Sequence, residues 1–583
     1  MKHKETYINK LVNKSAHIPI VWLVHFNLVN IIVVTTILFN IKYFNVVSKS
    51  LEYFIFVYFI LCLLFSLIFK YKYISFLHYF KFRNAINILI FLLIFYIFVV
   101  ANFNSVSTVD DSITTYQARI HFFFQDIPFS WNSFSPYYNP ILVYPMGSDN
   151  FVYWQYMITQ TFNNLYIINA LFFVFVGFLT FKFLVYEKKL DTLLIKFSIV
   201  AVILSPTIVS ASKGVMQEGF TLFVVSSIFY YYYSPNLHNL TNNSKILILF
   251  CLIIEVLTLK PQYWIFLIIL VIDFLKILIQ KKSKGTLLSK IQLYVMLIVI
   301  IFITYSNLKF GFRMFIETYN IHLSDVDGDS NTFKNFYYAF LQLLTGSLFS
   351  ILPLNIESFF RNYLSANYLL NENSYGFFHF PILFVFSSII GIFYIILNFR
   401  NFKINLSWFK SAYLYLSLFL IFSIRNYSIA FHRYSIILLL LVVLISLILH
   451  YSTFLKRSSP FLWSYLNLFF VCFVFLSLLF NLNWYFSKYE QERLSIQNDR
   501  PYEHRLIDFQ SSYSESDFLV VTRLVLHEQS KRKCSNIILR TDRKFPISAL
   551  IKYPSCDLVI LKNTSDPLIN DKVMSRQFRV INF

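Results

Sequence analysis

The sequence predicts an α-helical polytopic membrane protein with a small α/β domain at its C-terminal end. Three observations carry that reading. Of the 583 residues, 57% are hydrophobic and 14% charged, with mean hydropathy +0.60; a soluble domain runs near 45–50% apolar and about 25% charged. Apolar stretches of about 20 residues, the length that crosses a bilayer, recur along the chain until Ser487. The 50 Lys and Arg outnumber 29 Asp and Glu, a net +21, and they gather at the ends of those stretches, as membrane orientation requires. The same placement argues against nucleic acid as the partner of the positive charge. Ten glycines, 15 prolines and five cysteines exclude a collagen-like chain and a disulfide scaffold. The 70 Phe and 41 Tyr beside so few glycines look like a genome-wide codon bias, so aromatic runs are not read as cages or stacking platforms.

The first span runs near 18–39, after Lys2, Lys4, Lys10 and Lys14. It lacks a small-residue cleavage site and is read as a retained helix. Spans follow near 51–69 and 85–102, separated by Lys70, Lys72, Lys81 and Arg83. With that basic loop and the basic N-terminus in the cytoplasm, residues 104–153 lie on the outer face. Further spans fall near 164–185, 193–211, 219–233, 246–259, 263–279 and 291–308. The segment 336–354 is taken as interfacial or re-entrant, which keeps Arg400, Lys403, Lys410, Lys456 and Arg457 inside. The last spans fall near 377–398, 411–424, 434–450 and 461–485, for a total of about thirteen. The N-terminus is then cytoplasmic and the C-terminal domain extracytoplasmic, in a multi-pass protein of the cell inner (plasma) membrane. Residues 1–84 hold the first two spans, 85–486 the main membrane domain with an outer loop over 103–155, and 487–583 the C-terminal domain. There, short apolar runs at 518–521, 537–539 and 558–561 alternate with polar stretches, and Cys534 and Cys556 can pair outside the cell.

The outer face collects the candidate chemistry. Its first large loop opens on Asp110 and Asp111. Ile113, Tyr116, Ile120, Phe123 and Ile127 then recur at helical spacing, opposite Thr115, Gln117 and Arg119, and such a helix lies flat on a bilayer surface. Capping is the plainer role for the acids, since Thr108 and Asp111 have capping-box spacing. A second outer turn holds Lys213 and Glu218, a third Lys260, and a fourth Arg425, His432 and Arg433. Each alone is an ordinary solvated turn or a snorkelling cation. Together they place acids and cations on one face.

That mixture suits sugar transfer from a polyprenyl-phosphate donor. Fixed cations stabilise the charge that develops on the leaving phosphate, and a carboxylate serves as general base toward an acceptor hydroxyl. No Gly-rich nucleotide fingerprint is present. No His/Cys cluster has metal-ligand spacing; the Asp pair could take a hard cation, but neither metal nor cofactor is assigned.

The arrangement resembles the GT-C superfamily of membrane glycosyltransferases, in the branch of protein O-mannosyltransferases and lipid A aminoarabinose transferases. Asp110-Asp111 with the helix 113–127, Tyr144-Pro145-Met146-Gly147, Glu218, Thr258-Leu259-Lys260 and Arg433-Tyr434 resemble that branch's motifs, over roughly 85–480. The acidic pair follows the third span here rather than the first, and Met146 stands where the branch has a second proline. The resemblance implies that Asp110 or Asp111 is the base. It implies that Lys260 and Arg433 hold the donor phosphate, with Lys213, Arg425 and His432 as further candidates, and that Glu218 orients sugar or acceptor. It implies a polyprenyl-phosphate sugar donor, membrane lipid as surroundings, and a glycan, lipid or protein acceptor left open. The competing classes are a lipid-linked polysaccharide polymerase or ligase, which rests on outer arginines, a transporter or flippase, which needs buried ionisable groups, and a non-catalytic scaffold.

Overall fold

The structure is a computed structural model and describes residues 20–43, 85–100, 145–159, 165–187, 192–212, 217–234, 237, 240–282, 287–307 and 460–484, with three strands near the C-terminus. Helix α1 is Ile20–Tyr43. Helix α2, Ala85–Phe95, continues into a π-helical turn, Tyr96–Val100. Then come α3 (Asp149–Thr159), α4 (Ile167–Phe181, running on into π-helical Lys182–Glu187), α5 (Leu193–Ile203), α6 (Pro206–Ser212) and α7 (Glu218–Tyr233). Helix α8 (Asn242–Leu257) leads through a 3₁₀ turn, Pro261–Trp264, into α9 (Ile265–Lys282). Helices α10 (Leu287–Asn307) and α11 (Pro460–Trp484) complete the described helical part.

Three of these are long and apolar enough to cross a membrane: Val21–Leu38 in α1, Ile167–Val185 across α4 and its π turn, and Pro460–Leu479 in α11. Large apolar side chains face outward on α9, α10 and α11, among them Ile272, Ile298 and Phe475. An outward apolar surface over several helices is compatible with a helical membrane protein, in which lipid rather than water covers it.

The expected span 193–211 is not one helix. It breaks at Leu204 and Ser205, and α6 restarts with Pro206 as its first residue. Proline has no N–H to give and fits the first turn of a helix better than its interior. The Ser205 carbonyl accepts from Val209 N–H, starting the new turn. The expected spans 51–69, 377–398, 411–424 and 434–450, the segment 336–354 and the helix 113–127 lie outside the described residues, as do Cys534 and Cys556.

In lipid the hydrophobic effect does not press helices together, so close packing and polar contacts must do so. The centre is an aromatic stack between α4 and α7, with Phe172 lying 5.0 Å from Phe220 and 5.7 Å from Phe223, ring centre to ring centre. Phe151 of α3 meets Phe172 and Phe220 edge-on; such pairs contribute about 0.5–1.5 kcal/mol each beyond burial. Helix α1 belongs to this same core. It packs on α8, α3 and α10, and its Thr35 hydroxyl accepts from Trp154 Nε1 of α3 at 2.7 Å. Helix α11 is tied to α5 by Asn481, whose amide donates to the Ala201 carbonyl at 2.8 Å.

Three strands lie near the C-terminus: β1 (Ile537–Arg540), β2 (Leu558–Leu561) and β3 (Arg579–Asn582). They form a parallel sheet in the order β2-β1-β3, with Ile537 opposite both Leu558 and Arg579. Two of the three apolar runs expected there are therefore strands, and 518–521 lies outside the described residues. Parallel neighbours need crossover connections of a dozen or more residues, and the stretches 541–557 and 562–578 are long enough to supply them.

Candidate functional site

The site is built where the ends of α3, α7 and α8 meet. Helix α7 begins at Glu218, and its start is fixed by a contact from α4. The Gly219 N–H donates to Asn169 Oδ1 at 2.8 Å, and the Asn169 amide donates to the Ala211 carbonyl at 2.8 Å. A β-carbon at position 219 would lie 2.4 Å from Asn169 Oδ1 and 2.5 Å from the Asn169 carbonyl oxygen. Glycine is therefore required, and with it the first N–H groups of α7, otherwise orphaned at a helix start, gain a buried partner. An acid in the first turn also faces the positive end of the helix dipole.

Lys260 lies three positions past the end of α8 and immediately precedes the 3₁₀ turn. Its approach is set by the end of α8. The Thr258 hydroxyl donates to the Glu255 carbonyl, Asn307 of α10 donates to the Leu257 carbonyl, and Trp264 Nε1 donates to the Leu259 carbonyl. From there Lys260 Nζ reaches Glu218 Oε1 at 3.6 Å, with both side chains buried. The second carboxylate oxygen of Glu218 is buried and has no hydrogen-bond partner. The ion pair is thus long and half-satisfied.

Beside it sits the turn 145–148. Gly147 has φ +44°, the left-handed region where other residues carry strain. The Gln217 side chain lies against it and donates from Nε2 to the Pro145 carbonyl at 2.8 Å. The same Nε2 is 3.5 Å from Asp149 Oδ2. Asn150 donates to the Gly147 carbonyl at 2.9 Å. Asp149, Asn150 and Gln217 are all buried, so the Pro145-Met146-Gly147 element and the start of α7 form one polar nest around Gln217.

Of the residues singled out from the sequence, the structure brings Glu218 and Lys260 into contact and sets the Pro-Met-Gly turn beside them. Asp110, Asp111, Lys213, Arg425, His432, Arg433 and Tyr144 lie outside the described residues. Sequence reasoning passed over Asp149, Gln217 and Asn169. Asp149 follows the Tyr-Pro element by four positions and opens a helix, the signal that could have found it; Asn169 inside an apolar span was the other. Among the described residues, no group of three or more His, Cys, Asp or Glu is placed to hold a metal ion.

A second buried polar cluster lies deeper between the helices. His25 of α1 donates from Nδ1 to Glu255 of α8, 2.8 and 2.7 Å from its two oxygens. On its other side Nε2 is 2.9 Å from Ser227 Oγ of α7. The Ser227 hydroxyl also lies 2.8 Å from the Phe223 carbonyl of its own helix. The imidazole stacks on the Phe223 ring at 4.6 Å and faces Trp22 at 5.1 Å. Every polar atom of His25, both Glu255 oxygens and the Ser227 hydroxyl are engaged.

No protein family matches the chain, and neither does any curated protein or solved structure.

Proposed function

We propose that this chain is a membrane glycosyltransferase of the GT-C kind, which moves a sugar from a polyprenyl-phosphate donor to an acceptor hydroxyl at the outer face of the inner membrane. The observation that supports it best is the Glu218–Lys260 pair. The resemblance assigns the two to one site from separate outer turns, and they meet beside the Pro-Met-Gly turn. In the reaction a carboxylate, Asp110 or Asp111, takes the acceptor proton. The acceptor oxygen bonds to the sugar's anomeric carbon, and the bond from that carbon to the phosphate oxygen breaks. Polyprenyl phosphate leaves with the electron pair, and Lys260, with Arg433, stabilises its charge. Glu218 holds Lys260 in place before the donor arrives and orients sugar or acceptor hydroxyls afterwards. Asp149 adds a third carboxylate next to Gln217.

A transporter or flippase is the second reading. The buried His25–Glu255 pair and the broken α5–α6 span favour it, since buried ionisable groups and interrupted helices mark transport pathways. One assay separates the two. Purified protein in lipid is given a radiolabelled polyprenyl-phosphate sugar, and release of polyprenyl phosphate is followed. Lys260→Gln is expected to lower kcat/KM about 10²–10³-fold, and one of Asp110→Asn and Asp111→Asn to abolish release. Turnover that survives both Asn variants would favour a polymerase or ligase. Donor that binds and crosses the bilayer with no bond broken would establish transport.

A further inference from the structure

We infer that His25, on the N-terminal helix α1, is a positioning residue that sets the distance between Glu218 and Lys260. The argument is the path of the chain on either side of it. The imidazole holds two helices at once: Ser227 on α7 through Nε2, and Glu255 on α8 through Nδ1. These are the two helices whose ends deliver the site. Glu218 lies nine positions before Ser227 on α7, about 14 Å of helix. Lys260 lies five positions after Glu255, joined to it by the hydrogen-bonded end of α8.

A slip or rotation of α7 against α8 moves Glu218 relative to Lys260 unless something fixes their relative height. His25 is buried and bonded to both helices, while its ring stacks on Phe223 and lies 5.1 Å from Trp22, tilted by 31°. Its grip on Glu255 also acts on the last turns of α8, whose remaining ties, from Asn307 and Trp264, come from the side of α9 and α10. So α1 reaches across to α7 and α8 without itself contributing to the polar nest at their ends. The functional consequence rests on the reading of Lys260 as the cation that meets the donor phosphate. The mechanical consequence does not.

The test uses the full chain in lipid nanodiscs and two readouts. One is the rate at which an amine-reactive reagent labels Lys260, read peptide by peptide in a mass spectrometer. The other is kcat and KM for a polyprenyl-phosphate sugar. His25→Ala is expected to raise Lys260 labelling by about two- to thirtyfold, the span of couplings carried through packed networks, and to lower kcat/KM by up to about a hundredfold. His25→Gln, which can still bond one of the two partners, is expected to recover part of both. Thr35→Val is the control: it removes the α1–α3 bond and leaves the His25 bonds to α7 and α8 in place, so Lys260 labelling stays at the wild-type level. Ser227→Ala, a milder change, serves if His25→Ala does not insert, and is expected to raise labelling less. Wild-type labelling in His25→Ala, or an equal rise in Thr35→Val, overturns the inference. If wild type turns over no donor, the proposed reaction fails while the labelling still decides the clamp.

Discussion

Among the described residues two buried acid–base pairs of opposite character lie a few turns apart. His25, Glu255 and Ser227 form a closed set in which each donor has an acceptor and all contacts are 2.7–2.9 Å. Glu218 and Lys260 form an open pair at 3.6 Å, with one carboxylate oxygen left without a partner. Burial is similar at both, so exposure does not separate them; completeness does. A satisfied network in a low-dielectric interior rigidifies what it joins. A half-satisfied one holds charge that a ligand can meet at little reorganisation cost. Under the proposed function, stability belongs to the first cluster and chemistry to the second.

The sharpest way to break that assignment is to remove one partner of the closed cluster. Glu255→Ala leaves the buried His25 imidazole without its hydrogen-bond partner and is expected to cost about 3–5 kcal/mol, measured by reversible unfolding in mixed micelles. A loss below about 1 kcal/mol would place Glu255 outside the stabilising framework.

Gly147→Ala comes next. A β-carbon there would lie 2.8 Å from Gln217 Cδ, and φ is +44°. A left-handed residue with a side chain costs about 1–2 kcal/mol, and Gln217 must also move. Reduced donor turnover together with a stability loss of that size is expected. Unchanged turnover would separate the turn from the site.

The smallest effect on stability is expected where the effect on activity is complete. The double variant Glu218→Gln/Lys260→Gln removes both charges of the pair at once, so unfolding is expected to shift by no more than about 1 kcal/mol, while transfer of the radiolabelled sugar is lost. A large destabilisation would mean that this pair, too, is structural.

Much of the helical framework was legible in the sequence because length and apolarity alone define a span. The residues 20–43, 167–187 and 460–484 fall where hydropathy puts them. Pro206 was visible as well, yet the apolar residues on both sides of it hide a break that only backbone geometry reveals. Glu218 and Lys260 were legible since they stand as charges at the ends of apolar spans, where the expected orientation makes a cation such as Lys260 the exception. Their contact was not, because nothing in the spacing of two separate turns encodes which helices are neighbours. His25 was missed for the same reason. A lone histidine among apolar residues acquires meaning only when Glu255, in a span 230 positions away, proves to be its partner. In the C-terminal region 537–540 and 558–561 announced themselves as apolar runs, whereas 579–582 did not, since Arg579 and Asn582 flank only two apolar residues.

Glycine makes up 10 of the 583 residues. Two of them bracket the start of α7: Gly147 against Gln217, and Gly219 against Asn169. In a chain whose abundant aromatic residues say little about function, two of its few glycines point to the end of the helix that carries Glu218.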